Sequence, residues 1–187
     1  TVPGGVVCGG RGRRGRAILA VLKERPSGLA LAGAIEPPGH PLLGHDAFEA
    51  AGVGKAGVPI TDDLGKALAG ADAAIDFTSA EGSVRNADTA ASAGKAIVVG
   101  STGLSPEQSA RIRAAAGKVA VVLSPNMSVG VNLMFRVAAE VARVLGEEYD
   151  VEIVETHHRF KKDAPSGTAV RLADCVAGAL GRKLGDV

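Results

Sequence analysis

The stretch Val6-Val7-Cys8-Gly9-Gly10-Arg11-Gly12-Arg13-Arg14-Gly15-Arg16 reads as a buried strand, a tight turn and the start of a helix. Its glycines at 9, 12 and 15 follow a G-x-x-G-x-x-G spacing. A tight turn needs one residue without a Cβ. Close approach of the backbone to a pyrophosphate needs a second, and helix-strand packing a third. The helix start then offers unpaired N–H groups and a positive dipole end to the phosphates. Read alone, the spacing also suits a plain tight turn or an arginine-glycine tract for RNA. Such tracts lack apolar periodic flanks, and this one has them. A second strand, Leu29 to Ile35, ends at Glu36, about 20 residues on, where a carboxylate would accept ribose hydroxyls.

Outward from the turn, short β-branched runs alternate with helical segments. Gly12 to Glu24 is a helix broken at Pro26-Ser27-Gly28. A weak strand is expected near Pro59 and Ile60. Strands follow at Ala73 to Phe77, Ala96 to Val99 and Val119 to Leu123, with a helix over Ser83 to Ala93. Ser105-Pro106-Glu107-Gln108 carries a helix-start signature, with Ser as cap, Pro next and Gln three residues after the cap. This order predicts an α/β fold, a Rossmann-like doubly wound parallel sheet that binds ligands at its carboxyl ends. After Ser124-Pro125-Asn126 the pattern changes. Ser128 to Leu145 reads as a long helix ending at Gly146, Tyr149 to Thr156 as a half-buried strand, and Gly167 to Leu180 as a last helix. The expected organisation is a dinucleotide-binding domain over 1–126, then the first part of an α+β substrate-binding and oligomerisation domain over 127–187.

Composition narrows the partners. A net charge of +1 gives no broad electrostatic case for nucleic acid or an anionic membrane surface. No apolar run approaches the roughly 20 residues that span a bilayer. The start, Thr1-Val2-Pro3-Gly4-Gly5, lacks the charged and apolar regions of a signal peptide and lacks an initiator Met, as a trimmed start would. Cys8 and Cys175 have no metal-ligand spacing and read as small reduced core residues, which points to the cytoplasm.

The most informative stretch is Glu155-Thr156-His157-His158-Arg159-Phe160-Lys161-Lys162-Asp163-Ala164-Pro165-Ser166-Gly167-Thr168. His donates or accepts protons near neutral pH, and Lys does so when burial or cationic neighbours lower its pKa. Amides at Gly167 and Thr168 open a helix and form an anion site. The loop therefore suits a carboxylate ligand and delivery of a proton; a solvated basic turn with a Ser cap is the plainer alternative.

This pattern, E-x-H-H-R-x-K-x-D-A-P-S-G-T, resembles the signature of the 4-hydroxy-tetrahydrodipicolinate reductase family. Ala34-Ile35-Glu36, Ile75-Asp76-Phe77-Thr78, Gly100-Ser101-Thr102-Gly103 and Ser124 to Asn132 are similar to further segments of that family. One departure is Arg14, where the family often has Met or another apolar residue. The resemblance implies an NADH- or NADPH-dependent reductase of lysine and diaminopimelate biosynthesis. Its substrate is a cyclic dicarboxylate, made from pyruvate and aspartate semialdehyde. It implies that Gly9, Arg11, Gly12, Arg13, Gly15 and Glu36 hold the pyrophosphate and adenosine ribose. Phe77, Gly100, Thr102, Ser124 and Met127 surround the nicotinamide. His157 and Lys161 match proton donors, and His158, Lys161, Ser166, Gly167 and Thr168 match the substrate carboxylate site. It implies a homotetramer and no metal.

The family's chains are typically longer than 187 residues, so this chain is expected to be a truncated form. A non-catalytic dinucleotide-binding module or inactive fragment is the alternative reading, but it would need no His157, His158 and Lys161 together. A semialdehyde dehydrogenase would need a cysteine in the cleft, where neither Cys8 nor Cys175 is expected. The cofactor signal is mixed: Glu36-Pro37 favours NADH, while Arg11 and Arg13 could reach a 2′-phosphate.

Overall fold

β1 (Gly4–Cys8) lies mid-sheet, with Val6, Val7 and Cys8 wholly buried, as a strand covered on both faces must be. The structure is a computed structural model, and it describes residues 2–25, 28–159, 161 and 164–186. The chain divides into two units, Thr1–Leu123 and Ser124–Val187.

In the first unit β1 leads into α1 (Arg13–Glu24), β2 (Ala30–Ile35), α2 (Ala47–Ala51) and β3 (Ile60–Thr61). Next come α3 (Leu64–Ala69), β4 (Ala73–Asp76), α4 (Ala80–Ser92), β5 (Ala96–Val99), α5 (Pro106–Ala114) and β6 (Val121–Leu123). The strands pair in parallel in the order β3-β2-β1-β4-β5-β6. This is the doubly wound dinucleotide-binding order, and its winding reverses between β1 and β4. Leu68, Ala87 and Ile112 of α3, α4 and α5 pack against Val6, Cys8, Ile97 and Val99. Leu19 and Leu22 of α1 and Phe48 of α2 pack against Val7.

Local chemistry sets the helix starts. Ser105 forms the expected capping box: its hydroxyl accepts the Gln108 N–H at 3.2 Å, and the Gln108 side chain accepts the Ser105 N–H at 2.9 Å. α4 begins at Ala80 rather than Ser83, because Ser79 caps it by accepting the Gly82 N–H at 3.1 Å. The weak strand is two residues long. Asp46 lies beside it, accepting N–H groups from Phe48, Glu49, Ala56 and Gly57 and so closing the loop that follows α2. The helix break placed at Pro26 and Ser27 lies outside the described residues.

The second unit contains α6 (Val129–Leu145) and α7 (Gly167–Ala179), which pack on each other. Ser128 caps α6, and Gly146 ends it with a φ of +69°. Tyr149 to Thr156, expected as a strand, forms neither strand nor helix. Alternation fixes which side chains share a face, but a strand also needs a neighbour to exchange N–H···O bonds. Among the described residues no strand pairs with it. Among the described residues no helix is long and apolar enough to cross a membrane.

Candidate active site

In the first unit the site grows from the glycine turn. Gly9 adopts a φ of +77° and donates its N–H to the Ile35 carbonyl at 2.9 Å, which joins the end of β1 to β2. Gly12 caps α1 without any side-chain hydrogen bond, so the first N–H groups of the helix keep their donor capacity. A Cβ on Gly15 would stand 2.2 Å from the Gly9 carbonyl oxygen and 2.7 Å from Gly10 Cα. Only glycine lets α1 start this close to the turn. A helix start pressed against a strand end, with free amides, fits a dinucleotide pyrophosphate.

Glu36 is buried at the end of β2, and its Oε1 accepts the Arg11 N–H at 2.6 Å. A cleft of about 570 Å³ opens beside it, lined by Glu36, Pro37, Asp62, Thr78, Arg85 and Asn86 among others. Arg11 and Arg13 are exposed, on the glycine turn and at the start of α1. Burial, then the negative charges of Asp76 and Glu36, push the Cys8 thiol far up, which removes it as a nucleophile.

Across the winding reversal, Phe77 packs against Gly100 so closely that a Cβ there would lie 2.1 Å from the ring. Arg14 sets its guanidinium 5.7 Å over the same ring. Asp76 is wholly buried and organises both strand ends. It accepts the Thr78 N–H (2.9 Å) and hydroxyl (2.8 Å), the Ser83 hydroxyl (3.0 Å), Asn86 Nδ2 (2.6 Å) and the Ser101 hydroxyl (3.4 Å). Thr102 follows in an exposed loop.

The second unit has its own cluster. The Asn126 amide donates to the Thr168 hydroxyl at 3.2 Å and accepts the Ser128 N–H at 2.9 Å, which ties the starts of α6 and α7 together. Ser124 donates its hydroxyl to the Asn126 carbonyl at 2.7 Å, and Met127 is exposed beside it. Ser166, buried, caps α7 by accepting the Ala169 N–H at 3.1 Å. Its own N–H donates to Glu155 Oε1 at 2.6 Å. His157 Nδ1 lies 3.2 Å from Glu155 Oε2. That oxygen is buried and, among the described residues, receives no aligned hydrogen bond, so the imidazole lies beside it by proximity alone. The Ser166 hydroxyl and N–H, helped by the charges of His157 and Lys161 and opposed by burial, hold the Glu155 carboxyl below the ordinary range. The Lys161 N–H donates to the His158 carbonyl at 3.1 Å, closing the loop's turn.

Residues 5–127 match the family described as "Dihydrodipicolinate reductase, N-terminus", and residues 130–185 match "Dihydrodipicolinate reductase, C-terminus". The chain belongs to the dihydrodipicolinate reductase family. It is 52% identical over 176 residues to a 4-hydroxy-tetrahydrodipicolinate reductase of Geobacter sp. (strain M21), covering 94% of this chain and 66% of that protein. It is 56% identical over 181 residues to the enzyme of the same name from Anaeromyxobacter dehalogenans (strain 2CP-1), covering 97% and 67%. The chain thus spans about two thirds of the length of these curated relatives. Its fold superposes on a dipicolinate-bound dihydrodipicolinate reductase from Paenisporosarcina sp. TG-14 with a TM-score of 0.71 at 24% identity, over 96% of this chain and 67% of that one.

Within this dihydrodipicolinate reductase family member, the first unit is a Rossmann-type dinucleotide-binding domain. It gathers Gly9, Arg11, Gly12, Arg13, Gly15 and Glu36 at one strand edge and Phe77 and Gly100 at the next. Ser124 and Met127 belong to the second unit, with His157, His158, Lys161, Ser166, Gly167 and Thr168. Phe160, Lys162 and Asp163 of the signature lie outside the described residues. Three organising residues had no role in the sequence reading: Asp76, Asn126 and Glu155. Each was visible as a polar residue at an element's edge, but its partners lie up to 42 residues away, as for Asn126 and Thr168.

Proposed function

We propose that this chain is the catalytic part of an NAD(P)H-dependent reductase that converts 4-hydroxy-tetrahydrodipicolinate to tetrahydrodipicolinate in lysine and diaminopimelate biosynthesis. The observation that carries this reading is the Glu155 carboxylate, which gathers His157 and the start of α7 in a chain that also carries the glycine turn. A protein that only binds a dinucleotide has no use for such a cluster.

Loss of the C4 hydroxyl as water, together with a proton from the adjacent ring carbon, conjugates C4 with the ring imine, and the reduced nicotinamide, when bound, would supply the hydride that C4 then accepts. The amides at Gly12, Arg13 and their neighbours hold the pyrophosphate, and Glu36 holds the adenosine ribose. Gly9 and Gly15 shape that turn, and Arg11 and Arg13 lie beside it. Phe77, Gly100, Thr102, Ser124 and Met127 surround the nicotinamide. The substrate is a dianion, so the amides of Gly167 and Thr168, the Ser166 hydroxyl and the side chains of His158 and Lys161 hold its carboxylates. As C4 gains the hydride, electron density builds on the conjugated ring nitrogen. His157 and Lys161 stabilise it and deliver a proton there.

NADH is bound at least as well as NADPH, because Glu36 and Pro37 place no cation beside the ribose. The assembly is a homotetramer, as in the family resembled. α6 exposes Leu133, Val137 and Val141 at a spacing of four, an apolar face that suits association. Two free cysteines fit a cytoplasmic setting. The test is oxidation of NADH or NADPH by the longest natural form of the chain, with freshly synthesised substrate. Substrate-dependent loss of the reduced cofactor is expected, and cofactor binding without turnover would leave only the binding module.

A further inference from the structure

We propose that Glu155 is a positioning residue that joins the imidazole of His157 to the anion-binding start of α7 at Ser166. This inference rests on the reductase reading and deepens it. One carboxylate serves two elements through its two oxygens. Oε1 takes the Ser166 N–H at 2.6 Å, and Oε2 lies 3.2 Å from His157 Nδ1. Oε2 is buried and, among the described residues, receives no aligned hydrogen bond, so it stands beside Nδ1 as an acceptor still to be filled.

The arrangement has a consequence for the proton on His157. An ionised carboxylate only accepts hydrogen bonds, so its place 3.2 Å from Nδ1 favours the tautomer in which that nitrogen carries the hydrogen. In the neutral ring this is Nδ1–H, which leaves Nε2 as the nitrogen that takes up and releases a proton. Nε2, the nitrogen not beside Glu155, is then the atom assigned to meet substrate. A carboxylate that orients a working histidine through its other nitrogen is a recurrent device for fixing tautomer and ring angle.

The second half of the contact acts on the substrate's carboxylate. Ser166 caps α7 through its hydroxyl oxygen, which accepts the Ala169 N–H at 3.1 Å. With its own N–H committed to Glu155, the Ser166 backbone is fixed, and the amides of Gly167 and Thr168 follow from it. Glu155 therefore sets the spacing between the donor nitrogen and the anion cradle. Lys161 is close enough to act on the same carboxylate by charge. Glu155 is thereby the common neighbour of three groups assigned to the reaction.

A merely structural role, a brace for the cap of α7, would leave the His157 tautomer alone. The test uses the full-length protein with 15N-labelled histidine, comparing wild type, Glu155→Gln and Glu155→Ala by NMR where His157 is neutral. Steady-state kinetics and dinucleotide titration accompany it. Glutamine has one oxygen, and the Ser166 N–H claims it. Its NH2 group then faces Nδ1, which must accept, so the proton moves to Nε2. The expected result is Nδ1–H in wild type, Nε2–H in Glu155→Gln and a mixture in Glu155→Ala. Turnover should fall at least about tenfold in Glu155→Gln and KM for substrate should rise, while dinucleotide affinity stays within about twofold. The same tautomer in wild type and Glu155→Gln overturns the proposal. So does a changed tautomer with turnover within about twofold of wild type. A wild type without turnover overturns the reductase reading instead, and the tautomer comparison still decides whether Glu155 orients His157.

Discussion

The Glu36 carboxylate accepts the main-chain N–H of Arg11 at 2.6 Å, so the end of β2 is bonded directly to the glycine turn. The negative charge is therefore fixed at the position the proposed function assigns to the adenosine ribose, and Pro37 adds no cation. Arg11 and Arg13 offer one from the turn. Calorimetric titration should show both NADH and NADPH binding, with NADH at least equal. A preference for NADPH beyond tenfold, about 1.4 kcal/mol, would contradict this placement of charge.

Gly15 gives a sharper steric test. Its substitution by Ala puts a methyl group 2.2 Å from the Gly9 carbonyl oxygen, a backbone atom that moves only if the turn opens. Overpacking of this kind costs about 1–3 kcal/mol. Gly15→Ala should lose dinucleotide affinity and thermal stability together. Gly12→Ala meets its nearest atom at 3.3 Å and should be milder. Equal effects from the two would show that the turn is not tightly packed against α1.

Asp76→Ala removes the shared acceptor of Thr78, Ser83, Asn86 and Ser101. Leaving buried donors unpaired costs about 1–3 kcal/mol, and several lose their partner at once. Urea unfolding should place the loss at the upper end of that range, with the first unit affected.

Much of this was legible along the chain, and the rest was not for identifiable reasons. Val6-Val7-Cys8, Ala96 to Val99 and the capping box at Ser105 are local patterns, and each forms where its residues predict. Tyr149 to Thr156 alternates like a strand, but pairing depends on a neighbour that alternation does not encode. The start of α4 was hidden because Gly82 and Ser83 are weak helix formers, and the Ser79 cap overrides them. Arg14 reads as a charged intruder at an apolar family position. Its stacking over Phe77, 63 positions away in sequence by simple subtraction, is visible only in three dimensions. Asp76 and Glu155 likewise act through partners brought near by folding.

The lowered Glu155 carboxyl predicts a pH dependence with a definite sign. A carboxylate whose folded value lies below its unfolded one adds stability that is complete above the unfolded value. That contribution is lost as the pH falls through the folded value. Hydrogen exchange at the Ser166 amide, read by NMR over an acid titration, should stay protected at the ordinary glutamate value and lose protection only below it. Glu155→Gln should remove this acid step. A loss of protection centred on the ordinary value would show that Ser166 does not hold the carboxylate in its charged form.

Steady-state kinetics of Lys161→Ala in the full-length protein, with dinucleotide titration alongside, tests the proposed reaction most directly. Lys161 belongs to the second unit, whereas the glycine turn and Glu36 belong to the first. Its proposed interactions, with a substrate carboxylate and with charge building on the ring nitrogen, exist only when substrate is bound. Turnover should fall at least about a hundredfold, the lower bound for a positioned proton donor, with nucleotide affinity unchanged. Near-normal turnover at saturating substrate would contradict the catalytic assignment and leave the loop from His157 to Ser166 as a solvated basic turn.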